Sequence, residues 1–211
     1  MNKNIYIISA GCGNKDYLTV KALKTAEKVD FLIGAERFKN LFSENRYVVL
    51  KNTVKDAIEI LSNEQSRIIG VVVSGDAGFF SLSKLLYARF KERIIEVIPG
   101  ISSIQLGMAR LFKSYDNVEF LSFHGKEIPF EEFEKKLEFC LHYNKNLYII
   151  SDYNHKIFDF LPKLNNILAN FQIYILNNLG LPDESIYKIE SLQDINKLIL
   201  SLYAIYLEVK S

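Results

Sequence analysis

The chain has 211 residues, 49% of them hydrophobic, with 4 Pro and 10 Gly, so it is long enough to bury a core and its composition argues against disorder. Lys and Arg number 26 against 25 Asp and Glu, which leaves no strong overall charge of the kind that non-specific nucleic-acid binding uses. The longest apolar runs are strand-length, well short of the roughly 18 residues of a membrane span, so a soluble protein with no membrane partner is expected.

Signals for targeting, disulfides and metals are weak in this sequence. The first ten residues contain a strand-like run without a long apolar segment or a small-residue cleavage site, so no secretion signal is predicted and the cytoplasm is the expected location. Cys12 and Cys140 lie far apart, with no Cys-x-x-Cys and no cluster of histidines. This pattern argues against a disulfide framework and a structural zinc site, so we expect reduced thiols and no bound metal.

The first half of the chain alternates short β-branched runs with amphipathic segments of helical period. Helices are expected after Asp16 and after the turn at Gly75. This rhythm predicts βαβ units whose helices cover a largely parallel sheet. The predicted strands are 4–10, 30–34, 46–50, 68–74 and 93–98.

A second α/β series begins after a polar stretch at 113–117, and we place a domain boundary near residue 116. Its predicted strands are 118–123, 147–151, 171–177 and 203–209. Helices are expected at 131–143 and 156–170, with Pro162 as the main objection to an unbroken second helix. The fold class is therefore α/β, with two consecutive small domains, 1–116 and 117–211, mainly parallel or mixed sheets and a ligand cleft between them.

Four loops that follow predicted strands are the candidate site, because ligands of doubly wound sheets lie outside the carboxyl ends of the strands. The loops are Ser-Ala-Gly-Cys-Gly-Asn (9–14), Ser-Gly-Asp-Ala-Gly-Phe-Phe (74–80), Ile-Pro-Gly-Ile-Ser-Ser (98–103) and Ser-Phe-His-Gly-Lys (122–126). The first is not a dinucleotide fingerprint, since Asp16 stands where the third glycine belongs, and no Walker A motif is present.

Each loop also has an ordinary structural interpretation. The glycines of the first loop suit any βα turn, Asp76 is equally well placed to cap a helix, and serines such as Ser102 and Ser103 cap helices by default. In the fourth loop, His124 and Lys126 put an imidazole and a cation beside a glycine, where they are able to meet carboxylates. The other two histidines, His142 and His155, have no such neighbours, so structural or surface roles are expected for them.

Taken in order over nearly the whole chain, these segments resemble the tetrapyrrole methylase family, whose members include corrin-pathway methyltransferases, uroporphyrinogen-III methyltransferase and diphthine synthase. Segment 8–23 is similar to the family's GxGPGDPELLTLKAL start, and 26–34 to the strand that follows it. Segment 74–77 resembles its Gly-Asp-Pro loop, and 98–103 its PGxSS segment.

Within the family, four segments resemble the C5-methyltransferases that act on cobalt-precorrin-7 or precorrin-6Y, the CbiE type. They are 34–38 (GxxRxL in those enzymes), 101–111 (ISSVQLAAARL), 122–126 (SLHGR) and 178–184 (LGxPDE). The chain departs from the family at Cys12 and Ala77, where prolines are usual, at Asn14 for Asp, and at Lys126 for Arg. Lys126 keeps the charge but gives up bidentate pairing with a carboxylate.

The resemblance implies the class III methyltransferase fold, with S-adenosylmethionine (SAM) bound between two α/β domains and S-adenosylhomocysteine (SAH) as product. The residues that match cofactor contacts are Cys12, Ser74, Gly75, Asp76, Phe79, Ser102 and Ser103 in the first domain and Ser151 and Gly180 in the second. The acceptor would be carbon C5 of a polycarboxylate corrin precursor, with Arg37, His124 and Lys126 as candidate substrate contacts. His124 is the candidate catalytic residue, either orienting the ring or accepting a proton, and holding carboxylates is its alternative role.

The resemblance also implies partners. Homodimers are usual in the family, and C15 methylation and decarboxylation would need a separate enzyme, because this chain is too short to include that domain. Two alternatives stay open: a methyltransferase of the same fold acting on another tetrapyrrole or on the diphthamide precursor, and a non-catalytic α/β nucleotide-binding module. The sequence leaves open whether the substrate carries cobalt.

Overall fold

The structure of the protein is a computed structural model that describes residues 3–42, 46–124, 127–151 and 157–210. The chain separates into two compact units between Leu106 and Gly107, inside a helix and somewhat before the boundary expected near residue 116. None of the helices formed by the described residues is long and apolar enough to cross a membrane.

The sheet of the first unit has five strands, and every neighbouring pair in it is parallel. The strands are β1 (Ile5–Ser9), β2 (Phe31–Gly34), β3 (Tyr47–Val49), β4 (Ile69–Val73) and β5 (Ile94–Ile98). Their order is β3-β2-β4-β1-β5. The largely parallel sheet predicted from the βαβ rhythm is confirmed, and here every strand pair is parallel.

Helices cover both faces of this sheet. They are α1 (Val20–Ala26), α2 (Thr53–Asn63) and α3 (Ser83–Phe90), with 3-10 turns at Lys15–Tyr17, Glu36–Leu41 and Lys91–Arg93. After β5 the chain continues into α4 (Ser103–Leu111), which crosses the boundary between the two units. Strand residues alternate between the faces: Ile7 of β1 packs in the cluster with α2 and α3, whereas Ile8 packs in the cluster with α1. Because both faces are covered, the strands are apolar on both sides.

The chain leaves β1 and β4 in opposite directions. From β1 it crosses by α1 to β2, on one side of β4, and from β4 it crosses by α3 to β5, on the far side of β1. Right-handed crossovers in opposite directions run over opposite faces, which opens a crevice at the carboxyl ends of the two neighbouring strands. The loops after β1 and β4 therefore begin at the place where such sheets bind ligands.

The second unit has a mixed five-stranded sheet of order β6-β7-β10-β8-β9, in which β6 and β7 are parallel and β10 and β9 are antiparallel to their neighbours. The strands are β6 (Val118–Ser122), β7 (Asn146–Ile150), β8 (Phe171–Asn177), β9 (Ser185–Ile189) and β10 (Tyr203–Val209). The helices are α5 (Phe130–His142), α6 (Ile157–Phe160), α7 (Asn165–Leu168) and α8 (Leu192–Ile195), with a 3-10 turn at Leu161–Leu164.

Nine predicted strands are confirmed within a residue or two at each end, and β9 is an additional strand. The unbroken helix expected at 156–170 is wrong. In its place α6, a 3-10 turn and α7 follow one another, and Pro162 lies in the first turn of the 3-10 segment, since proline has no N–H for a helical hydrogen bond. Residue 156 lies outside the described residues.

Candidate functional site

Two backbone hydrogen bonds join the loop after β1 to the loop after β4. The N–H of Gly11 donates to the carbonyl of Gly75 at 3.2 Å, and the N–H of Gly75 donates back to Gly11 at 2.9 Å. Both glycines have positive φ, 59° at Gly11 and 63° at Gly75, a conformation that other residues adopt at a cost. The glycines that the sequence analysis noted in these loops therefore form a bridge between them.

The loop after β5 is tied to the other two by side chains. One carboxylate oxygen of Asp76 accepts from the N–H of Gly100 at 2.9 Å, and the other accepts from the N–H of Gly78 at 2.8 Å. The Cys12 thiol donates to the carbonyl of Ile101 at 3.6 Å. Three of the four loops that the sequence predicted to form the site thus meet at the carboxyl edge of the first sheet.

Glycine permits the close approach of these loops at one position and leaves space at another. A Cβ on Gly100 would lie 2.5 Å from Cβ of Ser9 and 2.8 Å from the carbonyl oxygen of Gly75, so no side chain fits there. A Cβ on Gly75 would meet only Cα of Ser102, at 3.9 Å. The space beside Gly75 is therefore open at the position of a Cβ, which lets another group approach the backbone there.

A capping box starts helix α4 at the third loop. The Oγ of Ser102 accepts from the N–H of Gln105 at 3.4 Å, while Oε1 of Gln105 accepts from the N–H of Ser102 at 2.6 Å and from its hydroxyl at 2.7 Å. Ser102 is buried, and the half-buried Ser103 is the first residue of the helix. The sequence analysis missed Gln105, although the Ser-x-x-Gln spacing is the signal that identifies it.

Arg37 contacts the second loop, which itself carries two phenylalanines. Arg37, in the 3-10 turn after β2, donates from Nη2 to the Oγ of Ser74 at 2.7 Å. The ring of Phe79 is in edge-to-face contact with that of Phe80, with centroids 4.5 Å apart. Seven of the predicted residues of the first unit, together with Arg37, therefore belong to one connected set of loops: Cys12, Ser74, Gly75, Asp76, Phe79, Ser102 and Ser103.

A further serine that the sequence analysis did not single out supports the second loop from below. Ser9, the last residue of β1, is fully buried and accepts through its Oγ from the N–H of Ala77 at 2.9 Å. The hydroxyl of Ser83 donates to the carbonyl of Ala77 from the other side. Ala77, at the position where the family has proline, is thereby held through both of its backbone polar groups.

In the second unit, the predicted residues lie at the edge where β6, β7 and β8 end. Ser122, Ile150, Ala204 and Leu176 are aligned across the sheet, so the segments after the three strands are neighbours at one edge. His124 is exposed, and its N–H donates to the Oγ of Ser122 at 3.2 Å. Lys126 lies outside the described residues.

Ser151 and Gly180 follow β7 and β8. The hydroxyl of Ser151 donates to the carbonyl of Tyr203 at 2.7 Å, and this serine is buried. Gly180 has φ of 82°, and its N–H donates to Oε2 of Glu184 at 2.6 Å. These two positions thus follow strands that end at the same edge of the second sheet, with β10 between them.

The loop from 178 to 184 is held by a charged pair. Oε1 of Glu184 accepts from Nε of Arg110, on α4, at 2.5 Å. Burial raises the pKa of Glu184, but the hydrogen bonds from Arg110 and from the N–H of Gly180 lower it by more. The pKa of Glu184 is therefore below its usual value. Glu184 is therefore ionised at neutral pH and fixes the backbone at Gly180.

Comparison with known proteins places the chain in a family. Residues 4–195 match the family model of tetrapyrrole (corrin/porphyrin) methylases. A probable cobalt-precorrin-7 C(5)-methyltransferase of Methanocaldococcus jannaschii is 34% identical over 194 residues, which are 89% of this chain and 83% of that protein.

Two solved structures share the fold. The precorrin-6Y methylase (CbiE) of Archaeoglobus fulgidus matches all of both chains with a TM-score of 0.77 at 21% identity. A diphthine synthase matches 99% of this chain and 91% of its own with a TM-score of 0.75 at 13% identity. Identities this low demonstrate a common fold only. With the family model and the archaeal relative covering most of its length, the chain belongs to the tetrapyrrole (corrin/porphyrin) methylases.

Proposed function

We propose that this protein is a SAM-dependent C-methyltransferase that methylates C5 of a corrin precursor, cobalt-precorrin-7 or precorrin-6Y, in cobalamin biosynthesis. The observation that carries the proposal is the meeting of three loops at Gly11, Gly75 and Gly100, in a chain whose archaeal relative bears that activity in its name. The motifs at 34–38 and 178–184 favour this substrate over that of diphthine synthase.

In this proposal, the loops after β1, β4 and β5 form the donor site, and the donor lies in the open space beside Gly75. When bound, SAM supplies a methyl group on a sulfonium, which is already activated toward an electron-rich carbon. The protein then has to position both molecules and exclude water. The residues proposed to hold SAM are Cys12, Ser74, Gly75, Asp76, Phe79, Ser102 and Ser103, and, from the second unit, Ser151 and Gly180.

Cationic side chains are proposed to hold the carboxylates of the acceptor. Arg37 is exposed, and its bond to the Oγ of Ser74 keeps its guanidinium at the rim of the second loop. His124 and Lys126 complete this set, and His124 either orients the ring or accepts the proton that leaves C5. His124→Ala tests the second role, because unchanged turnover would remove His124 from the chemistry.

The remaining parts of the proposal concern the surroundings of the enzyme. We expect the protein to be a homodimer in the cytoplasm, and each chain to have the functional domains 1–116 and 117–211. We also expect a separate enzyme to carry out C15 methylation and decarboxylation. Light scattering on the purified protein measures its mass in solution. A monomeric mass at working concentration would contradict the dimer without touching the methyl transfer.

Calorimetry followed by product analysis tests the function. The enzyme should bind SAH and not ATP or NAD, whereas binding of ATP or NAD alone would favour a nucleotide-binding module. Incubation with cobalt-precorrin-7 and isotopically labelled SAM should then add one labelled methyl group to the pigment, detected by mass spectrometry. Transfer to another tetrapyrrole, with none to cobalt-precorrin-7, would overturn the substrate while keeping the reaction.

A further inference from the structure

Phe80 combines two features that rarely occur together in a large apolar residue. Its φ is +47°, in the left-handed region where a side chain bulkier than that of Gly or Asn is strained. Its side chain is also half-exposed, at 42% of its full accessible area. Neither the strain nor the exposure helps the loop to fold, so the conformation must be held by its surroundings.

The contacts around Phe80 explain how this conformation persists. The N–H of Phe79 donates to the carbonyl of Asp76 at 3.1 Å, and Ala77 is bound through both its N–H and its carbonyl to serines beneath the loop. The edge-to-face contact with Phe79, at an interplanar angle of 83°, fixes the direction of the Phe80 ring. These contacts hold the residues before Phe80, and the Phe80 ring is exposed at the end of the loop.

The charge near this loop favours one kind of ligand for that ring. Arg37 is bonded to Ser74 at the start of the same loop. A guanidinium at this position attracts the carboxylates of the acceptor. An exposed aromatic ring at the end of the loop and a guanidinium bonded at its start match a planar macrocycle that carries carboxylates at its edge.

We propose that Phe80 is a substrate-specificity residue, whose strained and exposed ring packs against the face of the tetrapyrrole acceptor. The inference rests on the proposed function and goes beyond it, because the family resemblance assigned Phe79 to the donor and gave Phe80 no role. Stacking of one aromatic ring on the macrocycle selects for a large planar substrate and leaves donor binding unchanged.

The chain offers a matched control for the strain. Phe112 has φ of +55° at the carboxyl end of α4, where the N–H groups of Phe112 and Lys113 donate to Ala109 and Met108 in a Schellman motif. Its side chain is 95% exposed. Phe112→Gly therefore removes the strain of a positive φ, as Phe80→Gly does, but at the carboxyl end of α4, whereas the third cofactor loop precedes the amino end of this helix.

The experiment compares Phe80→Gly, Phe80→Tyr and Phe112→Gly with the wild type by steady-state kinetics on cobalt-precorrin-7 and by thermal unfolding. In Phe80→Gly we expect the KM for the tetrapyrrole to rise about tenfold, while the KM for SAM stays within about twofold. Its Tm should stay within about 3 °C of the wild type, since relief of strain offsets the lost ring contact. Phe80→Tyr keeps the ring and should keep both KM values.

Phe112→Gly should raise the Tm by about 2–4 °C and leave both KM values unchanged. An unchanged tetrapyrrole KM in Phe80→Gly would overturn the proposal, and so would an equal rise in the KM for SAM, which would assign the ring to the donor. Failure of the wild type itself to bind SAH or to methylate the pigment would contradict the proposed function instead, so the two failures are distinguishable.

Discussion

The carboxylate of Asp76 accepts a hydrogen bond from the backbone N–H of Gly100 at 2.9 Å and thereby joins the loop after β4 to the loop after β5. Its second oxygen accepts from Gly78 within its own loop, at 2.8 Å. Both oxygens are therefore engaged with the backbone. This geometry gives Asp76 a positioning role in the loops, in addition to the cofactor contact proposed for it.

Replacing Asp76 should weaken both the fold of the loops and the binding of the cofactor. Asp76→Ala leaves the N–H groups of Gly78 and Gly100 without their acceptor, which should lower the free energy of unfolding by about 1–3 kcal/mol. We expect the Kd for SAH to rise about tenfold or more in calorimetry, because the loops lose their common anchor. Asp76→Asn retains one acceptor oxygen, so its free energy of unfolding and its Kd for SAH should lie between those of the wild type and of Asp76→Ala.

The control for this change is Asp194→Asn, which removes the charge from an exposed ion pair with Lys197 and keeps a side-chain acceptor for the backbone of Ser191. It should change the free energy of unfolding by less than about 0.5 kcal/mol, because exposed pairs contribute little. SAH binding as tight in Asp76→Ala as in the wild type would show that the link from Asp76 to Gly100 is dispensable.

The close contact at Gly100 predicts a large effect from one methyl group. In Gly100→Ala the new Cβ would lie 2.5 Å from Cβ of Ser9 and 2.8 Å from the carbonyl oxygen of Gly75, so two of the loops must move apart. Overpacking of this kind costs about 1–3 kcal/mol, and urea unfolding measures it. Gly78→Ala is the comparison, since its Cβ meets only the side-chain oxygen of Asp76, at 3.0 Å. An equal loss in both variants would contradict this interpretation.

The capping box predicts that a residue outside the proposed cofactor contacts affects cofactor binding. Gln105→Ala removes the acceptor for the N–H and hydroxyl of Ser102, which should destabilise the start of α4 by about 1 kcal/mol and weaken SAH binding. Gln105→Glu keeps an acceptor at the same place and should restore both properties. If Gln105→Glu binds SAH no better than Gln105→Ala, the capping box does not position Ser102.

Most of the fold could be predicted because its strands are short β-branched runs between turn residues. Strand β4, for example, is buried at every position, as a central parallel strand requires. Strand β9 was not predicted from the sequence. It is a short edge strand with alternating exposure, and it is recognised mainly by its pairing with β8. The helix expected at 156–170 failed because the effect of Pro162 on hydrogen bonding outweighed the apolar period.

Less of the site could be predicted, for a physical reason. Motifs identified the loops at Gly11, Asp76 and Ser102, because glycines and capping residues leave local signals in a sequence. The contact of Gly100 with Ser9 and the positive φ of Phe80 depend on how distant segments pack, and a sequence carries no local signal for either.

The charged pair at the loop from 178 to 184 predicts a dependence of stability on pH. Since the pKa of Glu184 is lower in the folded state, its contribution is fully present above the ordinary value of 4.5 and is lost as the pH falls through the lowered value. The difference in unfolding free energy between wild type and Glu184→Gln should be largest near neutral pH and should shrink below pH 4.5.

Urea unfolding at a series of pH values measures this difference. Glu190→Gln is the matched control, because Glu190 forms an exposed pair with Lys188 and should change stability by less than about 0.5 kcal/mol throughout. A difference for Glu184→Gln that stays constant into acid would mean that the ionised carboxylate does not hold Gly180.

The reactivity of the two cysteines provides a footprint of the donor site. Cys12 is half-buried in the first loop, whereas Cys140 is fully buried in the core of the second unit, where burial raises its pKa to about 11. A thiol reagent at about pH 8 should therefore label Cys12 in the native protein and reach Cys140 only after unfolding, because the thiolate is the reactive form. Peptide mapping by mass spectrometry assigns the label.

Saturating SAH should slow the labelling of Cys12 by about tenfold or more, because a ligand beside Gly75 covers the loop that carries this thiol. Cys140 serves as the internal control, and its labelling rate in denaturant should not depend on SAH. Binding of SAH in calorimetry without any protection of Cys12 would place the donor away from the loop after β1 and would remove Cys12 from the proposed contacts.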